Sequence, residues 1–330
     1  MRIDKMSGKK RETTPEISVV MSVYNEKDDD LLTAVKSVLG QTYTDFEFII
    51  ICDNPDDDRI RRILKDIEKS DERIKVIWNE KNMGLARSLN NGCNEAVGKY
   101  IVRMDADDVS RKDRIEKQVK FIKKEGCDLV CTSYDCIDES GKLIGSKSVV
   151  YYPSDEIKKA LPYKNIIHHP TTMFSKCVFE EAGAYRNFPC SQDYDLWLRM
   201  LDVGAKMSML NEPLLYYRIR RDSVTSRKRY RQACTLNYIR KLYCERRRWG
   251  CDLYSIENYE KYMRKFGVGN KKSEKLFKIT TDNIKKGKTK IKKGKLFSGF
   301  AIIATSIIRS KYYRQQIWLY LKQRVRKIGA

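Results

Sequence analysis

Histidine is almost missing from this chain of 330 residues, which has only the two neighbours His168 and His169. A His-rich metal centre is therefore excluded. The ten cysteines form no CxxC pair. Cys127, Cys131 and Cys136 also lack the paired spacing of a zinc site, so neither a zinc ribbon nor a disulfide scaffold fits. Glycine-rich phosphate loops are missing too: neither GxGxxG nor GxxxxGK followed by Ser or Thr occurs, which disfavours a dinucleotide fold or an ATPase. The charged stretch from Met1 to Lys10 has no apolar segment of the signal-peptide kind. The longest largely apolar run, Leu296 to Ile308, is interrupted by Ser298, Gly299, Thr305 and Ser306. It falls short of the ~20 residues needed to span a bilayer. A reducing, cytoplasmic location follows most simply.

Acid is what the last third lacks. Residues 227–330 carry 30 Lys and Arg against 6 Asp and Glu, whereas residues 1–226 carry 37 against 38. The net charge of +23 thus belongs to the C-terminal third. This predicts a balanced catalytic or binding body followed by a segment that meets an anionic surface.

Along the body, buried-type strands alternate with amphipathic helices. Ile17 to Val23 reads as a strand, with Tyr24-Asn25-Glu26 opening the loop after it. Leu31 to Leu39 has helical spacing and stops at Gly40. Phe46 to Cys52 is a second strand, ending at Asp53-Asn54-Pro55. Ile60, Ile63, Leu64 and Ile67 line a helix face, Arg73 to Trp78 is strand-like, and Leu85 to Val97 is helical. The run Tyr100-Ile101-Val102 then leads into Asp105-Ala106-Asp107-Asp108. This alternation predicts an α/β fold with a mainly parallel central sheet. Ligands of such sheets bind outside the carboxyl ends of the strands, where Tyr24, Asp53 and Asp105 to Asp108 all fall.

The acidic tetrapeptide is the most informative stretch. In an extended segment Asp105 and Asp107 point one way and Asp108 the other. Converging carboxylates repel unless a positive group lies between them, and a hard divalent cation, Mg²⁺ or Mn²⁺, that also grips phosphate oxygens is the usual occupant. A solvated acidic loop is the plain alternative.

Five segments, in order, carry a resemblance. They are Ser18-Val19-Val20-Met21-Ser22-Val23-Tyr24-Asn25, Ser37-Val38-Leu39-Gly40-Gln41-Thr42-Tyr43, Gly84-Leu85-Ala86-Arg87-Ser88-Leu89-Asn90, Arg103 to Asp108, and Gln192-Asp193-Tyr194-Asp195-Leu196-Trp197-Leu198-Arg199. Across roughly residues 16–220 the chain resembles bacterial family 2 glycosyltransferases of the GT-A fold, the exopolysaccharide and amylovoran type among them. The resemblance implies an inverting, metal-dependent, hexosyltransferase-like enzyme. It would use a nucleotide-sugar donor, a UDP-sugar foremost, and a glycan or lipid-linked acceptor in surface polysaccharide synthesis. It also implies that Ser22, Tyr24 and Asp53 hold the nucleotide and that Arg87 approaches it. Asp105 would contact the ribose side, Asp107 would bind the Mn²⁺ or Mg²⁺ that bridges the diphosphate, and Asp193 would be the catalytic base. His169, Gln192 and Arg218 are candidate donor or acceptor contacts. The family commonly has Asp-Asp-Gly-Ser where this chain has Cys52-Asp53-Asn54-Pro55, and Glu-Asp where it has Gln192-Asp193.

Each residue has a plainer reading beside this one. Asp193 could cap a helix beginning at Tyr194, Tyr24 could be a core-edge residue, and Arg87 a solvated helix residue. His168 and His169 precede Pro170 and could simply pack. Arg218, Arg220 and Arg221 could grip diphosphate oxygens or form a solvated basic loop. Trp197 and Leu198 read as core. Two other classes share part of the pattern. A sugar-nucleotide-forming nucleotidyltransferase normally shows a glycine-rich loop near its N-terminus, and Ser22 to Asp30 contains no glycine. A non-enzymatic nucleic-acid binder accounts for the basic third but not for the ordered acidic motifs, so no nucleic-acid partner is expected.

The expected domains are a basic leader (1–15), a GT-A domain (16–226) and a basic, mostly helical region (227–330). In the last, Ile284-Lys285-Lys286-Gly287-Lys288 repeats as Ile291-Lys292-Lys293-Gly294-Lys295, and residues 284–295 hold seven lysines and no acid. Leu296, Phe300, Ile303 and Ile307 follow at helical spacing. Tyr313, Ile317, Tyr320 and Leu321 make a second stripe, with Trp318 beside it. A polybasic run next to an aromatic amphipathic helix predicts a peripheral anchor on an anionic membrane surface, the inner face of the cell membrane. Helices packed on the body, with their lysines merely solvated, are the alternative.

Overall fold

The computed structural model describes residues 14–148, 154–220 and 229–325. The expected leader therefore lies outside the described residues as far as residue 13, and so does Arg221. The chain divides into two compact units, Met1–Arg221 and Asp222–Ala330.

The first unit begins with β1 (Ile17–Val23), β2 (Phe46–Cys52), β3 (Ile74–Trp78) and β4 (Tyr100–Asp105). The apolar runs of β1 and β2 are buried almost throughout, as strands covered on both faces must be. Helices α1 (Asp28–Leu39), α2 (Asp58–Ser70) and α3 (Leu85–Glu95) connect them. Asp28, Asp29 and Asp30 fill the first turn of α1, where negative charge complements the helix dipole. This acidic turn is why α1 starts three residues before the first apolar position that the periodicity marks. The Asp57 carboxylate caps α2, accepting from the backbone N–H of Arg59 at 2.9 Å and of Ile60 at 3.2 Å.

All four strands are parallel, in the order β3-β2-β1-β4. Chain order reverses between β1 and β4, so their carboxyl ends bracket a topological switch point, the crevice in which open α/β sheets bind ligands. The sheet continues through β5 (Val109–Ser110), β6 (Leu129–Ile137), β7 (Leu143–Lys147), β8 (Met173–Ser175) and β9 (Met207–Arg218). Its path is β4-β8-β6-β9-β5 with β7 on β6, which makes nine strands among the described residues. β8 runs antiparallel to both neighbours, whereas β6 and β9 are parallel. Four further helices pack around it: α4 (Arg114–Glu125), α5 (Ser154–Ala160), α6 (Lys176–Glu181) and α7 (Gln192–Asp202).

One expectation fails locally. β4 ends at Asp105, and residues 106–108 form a turn, so strand alternation does not govern Asp107 and Asp108.

The second unit is helical: α8 (Arg229–Trp249), α9 (Ile256–Phe266), α10 (Lys271–Lys292), α11 (Leu296–Arg309) and α12 (Lys311–Val325). Its core is rich in tyrosine, with Tyr230, Tyr238, Tyr259, Tyr262 and Tyr312 all buried beside Leu242 and Leu319. Such rings keep a polar tip that needs a partner, and the Tyr230 hydroxyl donates to the Phe266 carbonyl at 2.6 Å.

Candidate active site

Strand register brings the first group together. Ser22 of β1 lies opposite Asp105 of β4, and Val23 lies opposite Cys52, which sets Tyr24 and Asp53 side by side just past the strand ends. The Tyr24 ring is 43% exposed. Asp53 is buried and much of its carboxylate is in use. Oδ1 accepts from Asn79 Nδ2 at 2.8 Å and from the Met83 N–H at 2.7 Å, and Oδ2 accepts from the Gly84 N–H at 3.0 Å. Asp53 thereby pins the loop that leads into α3. Arg87, in the first turn of that helix, is exposed.

Asp105 Oδ1 lies 2.5 Å from Nη1 of the buried Arg103, two residues earlier in the same strand. Asp107 Oδ2 lies 3.0 Å from Arg220 Nε. Asp108 is fully buried; its Oδ1 accepts the Arg218 N–H at 2.9 Å, and its Oδ2 has no partner among the described residues. Burial first, and then the charges of Asp105 and Asp107, push the Asp108 acid well above the usual carboxylate range. Asp108 is thus an internal strut of the turn, and the Asp107 carboxylate faces Arg220.

Arg218 differs from its expected place. It is buried, and its Nε donates to the Asp107 carbonyl at 2.9 Å and lies 3.3 Å from Asp30 Oδ1. Its Nη1 donates to the Asp138 and Glu139 carbonyls. Arg218 therefore fastens the acidic turn to its surroundings, and the neighbouring Arg220 meets the Asp107 carboxylate.

Two remaining candidates lie at the start of α7. Gln192 is buried there, and the half-buried Asp193 accepts from Asn165 Nδ2 at 3.0 Å. Ser191 is the N-cap of α7, so Asp193 lies inside the first turn and is not the cap. Burial raises its pKa, while hydrogen bonds and the charge of Arg103 oppose the rise. A buried ion pair between Arg199 Nε and Asp195 Oδ2, at 2.9 Å, steadies this helix one turn further on. Trp197 and Leu198 are core, as their pattern predicts.

His169 is buried, with Nε2 2.8 Å from the Tyr185 hydroxyl and its ring edge-on to Trp197. His168 stacks on Tyr134 at 4.1 Å and meets Tyr217 edge-on. Burial pushes the His168 pKa down to about 4, with Asp105 opposing the change, so its ring is neutral at pH 7.

Glu26, Asp30, Arg103 and Asn165 join this group without a motif that marks them as site residues in the sequence. Arg103 is still legible there, because two residues along a strand share a face. Glu26 and Asp30 sit in the acidic stretch after β1, and both add their charge to the Asp107 environment. Asn165 carries no local signal.

A divalent ion fits this donor set. Among the described residues no group of three or more His, Cys, Asp or Glu is preassembled around a metal position. Burial and the charges of Asp105, Glu26 and Asp30 push the Asp107 pKa up to about 6 despite Arg220. Three carboxylates thus add negative charge around Asp107, with Arg220 set against them. One or two carboxylates completed by diphosphate oxygens and water is the usual way for a protein to hold Mg²⁺.

The chain is similar to several bacterial glycosyltransferases. WbnJ, an O-antigen biosynthesis glycosyltransferase of Escherichia coli, is 38% identical over 210 residues, which are 63% of this chain and 81% of the relative. An Escherichia coli UDP-Gal:alpha-D-GlcNAc-diphosphoundecaprenol beta-1,3-galactosyltransferase is 30% identical over 217 residues, 65% of this chain and 78% of its own. The S. aureus TarS 1-349 structure in complex with UDP-GlcNAc has the same GT-A fold, with a TM-score of 0.57 at 15% identity. The match covers 77% of this chain and 74% of that one. Residues 18–182 match the family described as glycosyl transferase family 2, and the chain belongs to that family.

Proposed function

We propose that this glycosyltransferase moves a hexose, with inversion, from a UDP-sugar to a glycan or lipid-linked acceptor in surface polysaccharide synthesis. One observation carries the reading. Tyr24, Asp53, Asp105 and Asp107 gather at the sheet's switch point, and Arg103 links this group electrostatically to Asp193 on α7. Relatives support the donor and acceptor classes: TarS 1-349 was crystallised with UDP-GlcNAc, and the Escherichia coli galactosyltransferase is named for UDP-Gal and a diphosphoundecaprenol acceptor. Residues 16–226 form the transfer domain in this scheme and 227–330 the basic helical region. A cytoplasmic location suits the buried free thiols of Cys52, Cys93, Cys131 and Cys234.

The exposed Tyr24 ring stacks on the base. Asp53 holds the Asn79–Gly84 loop against the nucleotide and keeps a remaining lone pair for the base, since a carboxylate offers about four acceptor sites. Ser22 and Asp105 line the ribose side, and Arg87 faces the phosphates from the first turn of α3. A divalent cation held by Asp107, with Asp105 beside it, would neutralise charge on the departing diphosphate as a Lewis acid. Asp193 takes the proton of the acceptor hydroxyl, and that oxygen forms a bond to the anomeric carbon from the face opposite the diphosphate. The bond from the anomeric carbon to the diphosphate oxygen breaks, its electron pair leaves with UDP, and the configuration inverts. Arg218, His169 and Gln192 act as positioning residues, the first for the acidic turn and the other two for the wall that carries Asp193.

Calorimetric titration of UDP with and without Mn²⁺ tests this. Metal-dependent binding is expected in the wild type and its loss in Asp107→Ala. No UDP binding under any metal condition would discard the UDP donor.

A further inference from the structure

Helix α11 is apolar on two faces. Its inner face packs tightly on α10: a Cβ added at Gly287 would lie 2.6 Å from Ile303 Cγ1, and one added at Gly299 would lie 2.8 Å from the Gly287 carbonyl oxygen. Its outer face is a stripe at helical spacing. Phe297 is 96% exposed, Phe300 60% and Ile308 66%, with the exposed Ala301 and Ala304 between them. The stripe thus differs from the Leu296-Phe300-Ile303-Ile307 line that spacing alone suggests, because Ile303 is taken up by the contact with α10. No charged residue occurs from Leu296 to Ile308, yet the exposed Lys292, Lys293 and Lys295 precede this segment, and the exposed Arg309 and Lys311 follow it.

We infer that the outer stripe of α11 lies in the plane of a membrane leaflet rich in anionic phospholipid, with Phe297 and Phe300 inserted and the flanking lysines at the phosphates. Charge selects this occupant. Residues 227–330 hold 30 basic against 6 acidic residues, so a second copy of the region would be repelled and a neutral surface would gain nothing from the lysines. The geometry matches as well. At 14 residues the helix is about 21 Å long, and among the described residues no helix is long and apolar enough to cross a membrane. An interfacial helix instead lies flat, its apolar face at the boundary between headgroups and acyl chains. The inference does not depend on the donor reading above.

Flotation of the full chain tests it, using vesicles of phosphatidylcholine alone and vesicles that also contain phosphatidylglycerol. The protein is expected to float with the anionic vesicles only. Phe297→Ser with Phe300→Ser should weaken that binding by about a hundredfold or more, the effect of removing two buried aromatic rings. UDP titration of the same variant should match the wild type, and circular dichroism should report unchanged helix content. Lys292→Glu, Lys293→Glu and Lys295→Glu together should also release the protein. Flotation of the phenylalanine variant equal to that of the wild type would overturn the insertion. Failure to bind anionic vesicles, with retention on single-stranded nucleic acid instead, would overturn the membrane assignment.

Discussion

At Asp193 two opposing effects meet on one carboxylate. Burial disfavours its charge, whereas the α7 N-terminus, the Asn165 amide and Arg103 favour it, and burial prevails. A base with a raised pKa is better matched to removing a hydroxyl proton near neutral pH. Asp193→Asn should lower kcat by about 10²–10⁴-fold and leave UDP affinity unchanged, a split that calorimetry and turnover assays resolve. The acid limb of kcat/KM should lie above the ordinary aspartate value of about 4, and activity should fall as pH drops through it. Stability has the opposite dependence. The folded state binds this proton more tightly than the unfolded chain, so the residue's contribution is complete at low pH and is lost as pH rises through its folded pKa. Asp193→Asn should therefore raise Tm at pH 8, with the gain shrinking toward pH 4. A gain that grows toward low pH would contradict this account.

At the level of elements, the sheet that carries the site depends on how closely β1 and β4 are packed. Gly98 precedes β4, and a Cβ there would lie 2.6 Å from both the Ile17 carbonyl carbon and the Ser18 nitrogen. These are backbone atoms of β1, unable to turn aside. Gly98→Ala should therefore destabilise the protein by about 1–3 kcal/mol, read as a lower urea midpoint. The Asp53 clasp acts at the same scale. Asp53→Ala takes the acceptor from the Met83 N–H and one of two acceptors from Asn79 Nδ2 and from the Gly84 N–H, which keep Ser88 Oγ and Asn82 Oδ1. It should cost about 1–3 kcal/mol and weaken UDP binding, because the loop into α3 loses its anchor. Asp53→Ala binding UDP as the wild type does would remove Asp53 from the donor site.

Across the whole molecule, charge is divided unevenly between the two units. The balanced first unit concentrates carboxylates at a cleft, and the basic second unit spreads lysines over helices. In about 1 M salt the screening length shrinks to ~3 Å. Vesicle association should then collapse, whereas metal-dependent UDP binding should persist, because the groups around Asp107 are largely shielded from solvent. Loss of both together would mean that the two units do not divide the work in this way.

The chain by itself determined the alternation of strands and helices, the strand ends that bear Tyr24, Asp53 and Asp105, and the basic C-terminal third. Apolar periodicity and charge runs are local properties, legible over a few residues. Tertiary structure alone decided the direction of Asp107, the burial of Arg218, the partner of Asp193 and which face of α11 stays outside. Asp107 turns away because the chain leaves β4 at Asp105, and Arg220 meets its carboxylate only because β9 returns beside it. Arg218 and Arg220 look alike in sequence; Arg218 ends β9 and is buried against the Asp107 carbonyl, whereas Arg220, just past the strand, meets the Asp107 carboxylate. Such choices rest on contacts between residues far apart in the chain, where burial and Coulomb energy act and local propensity carries no information.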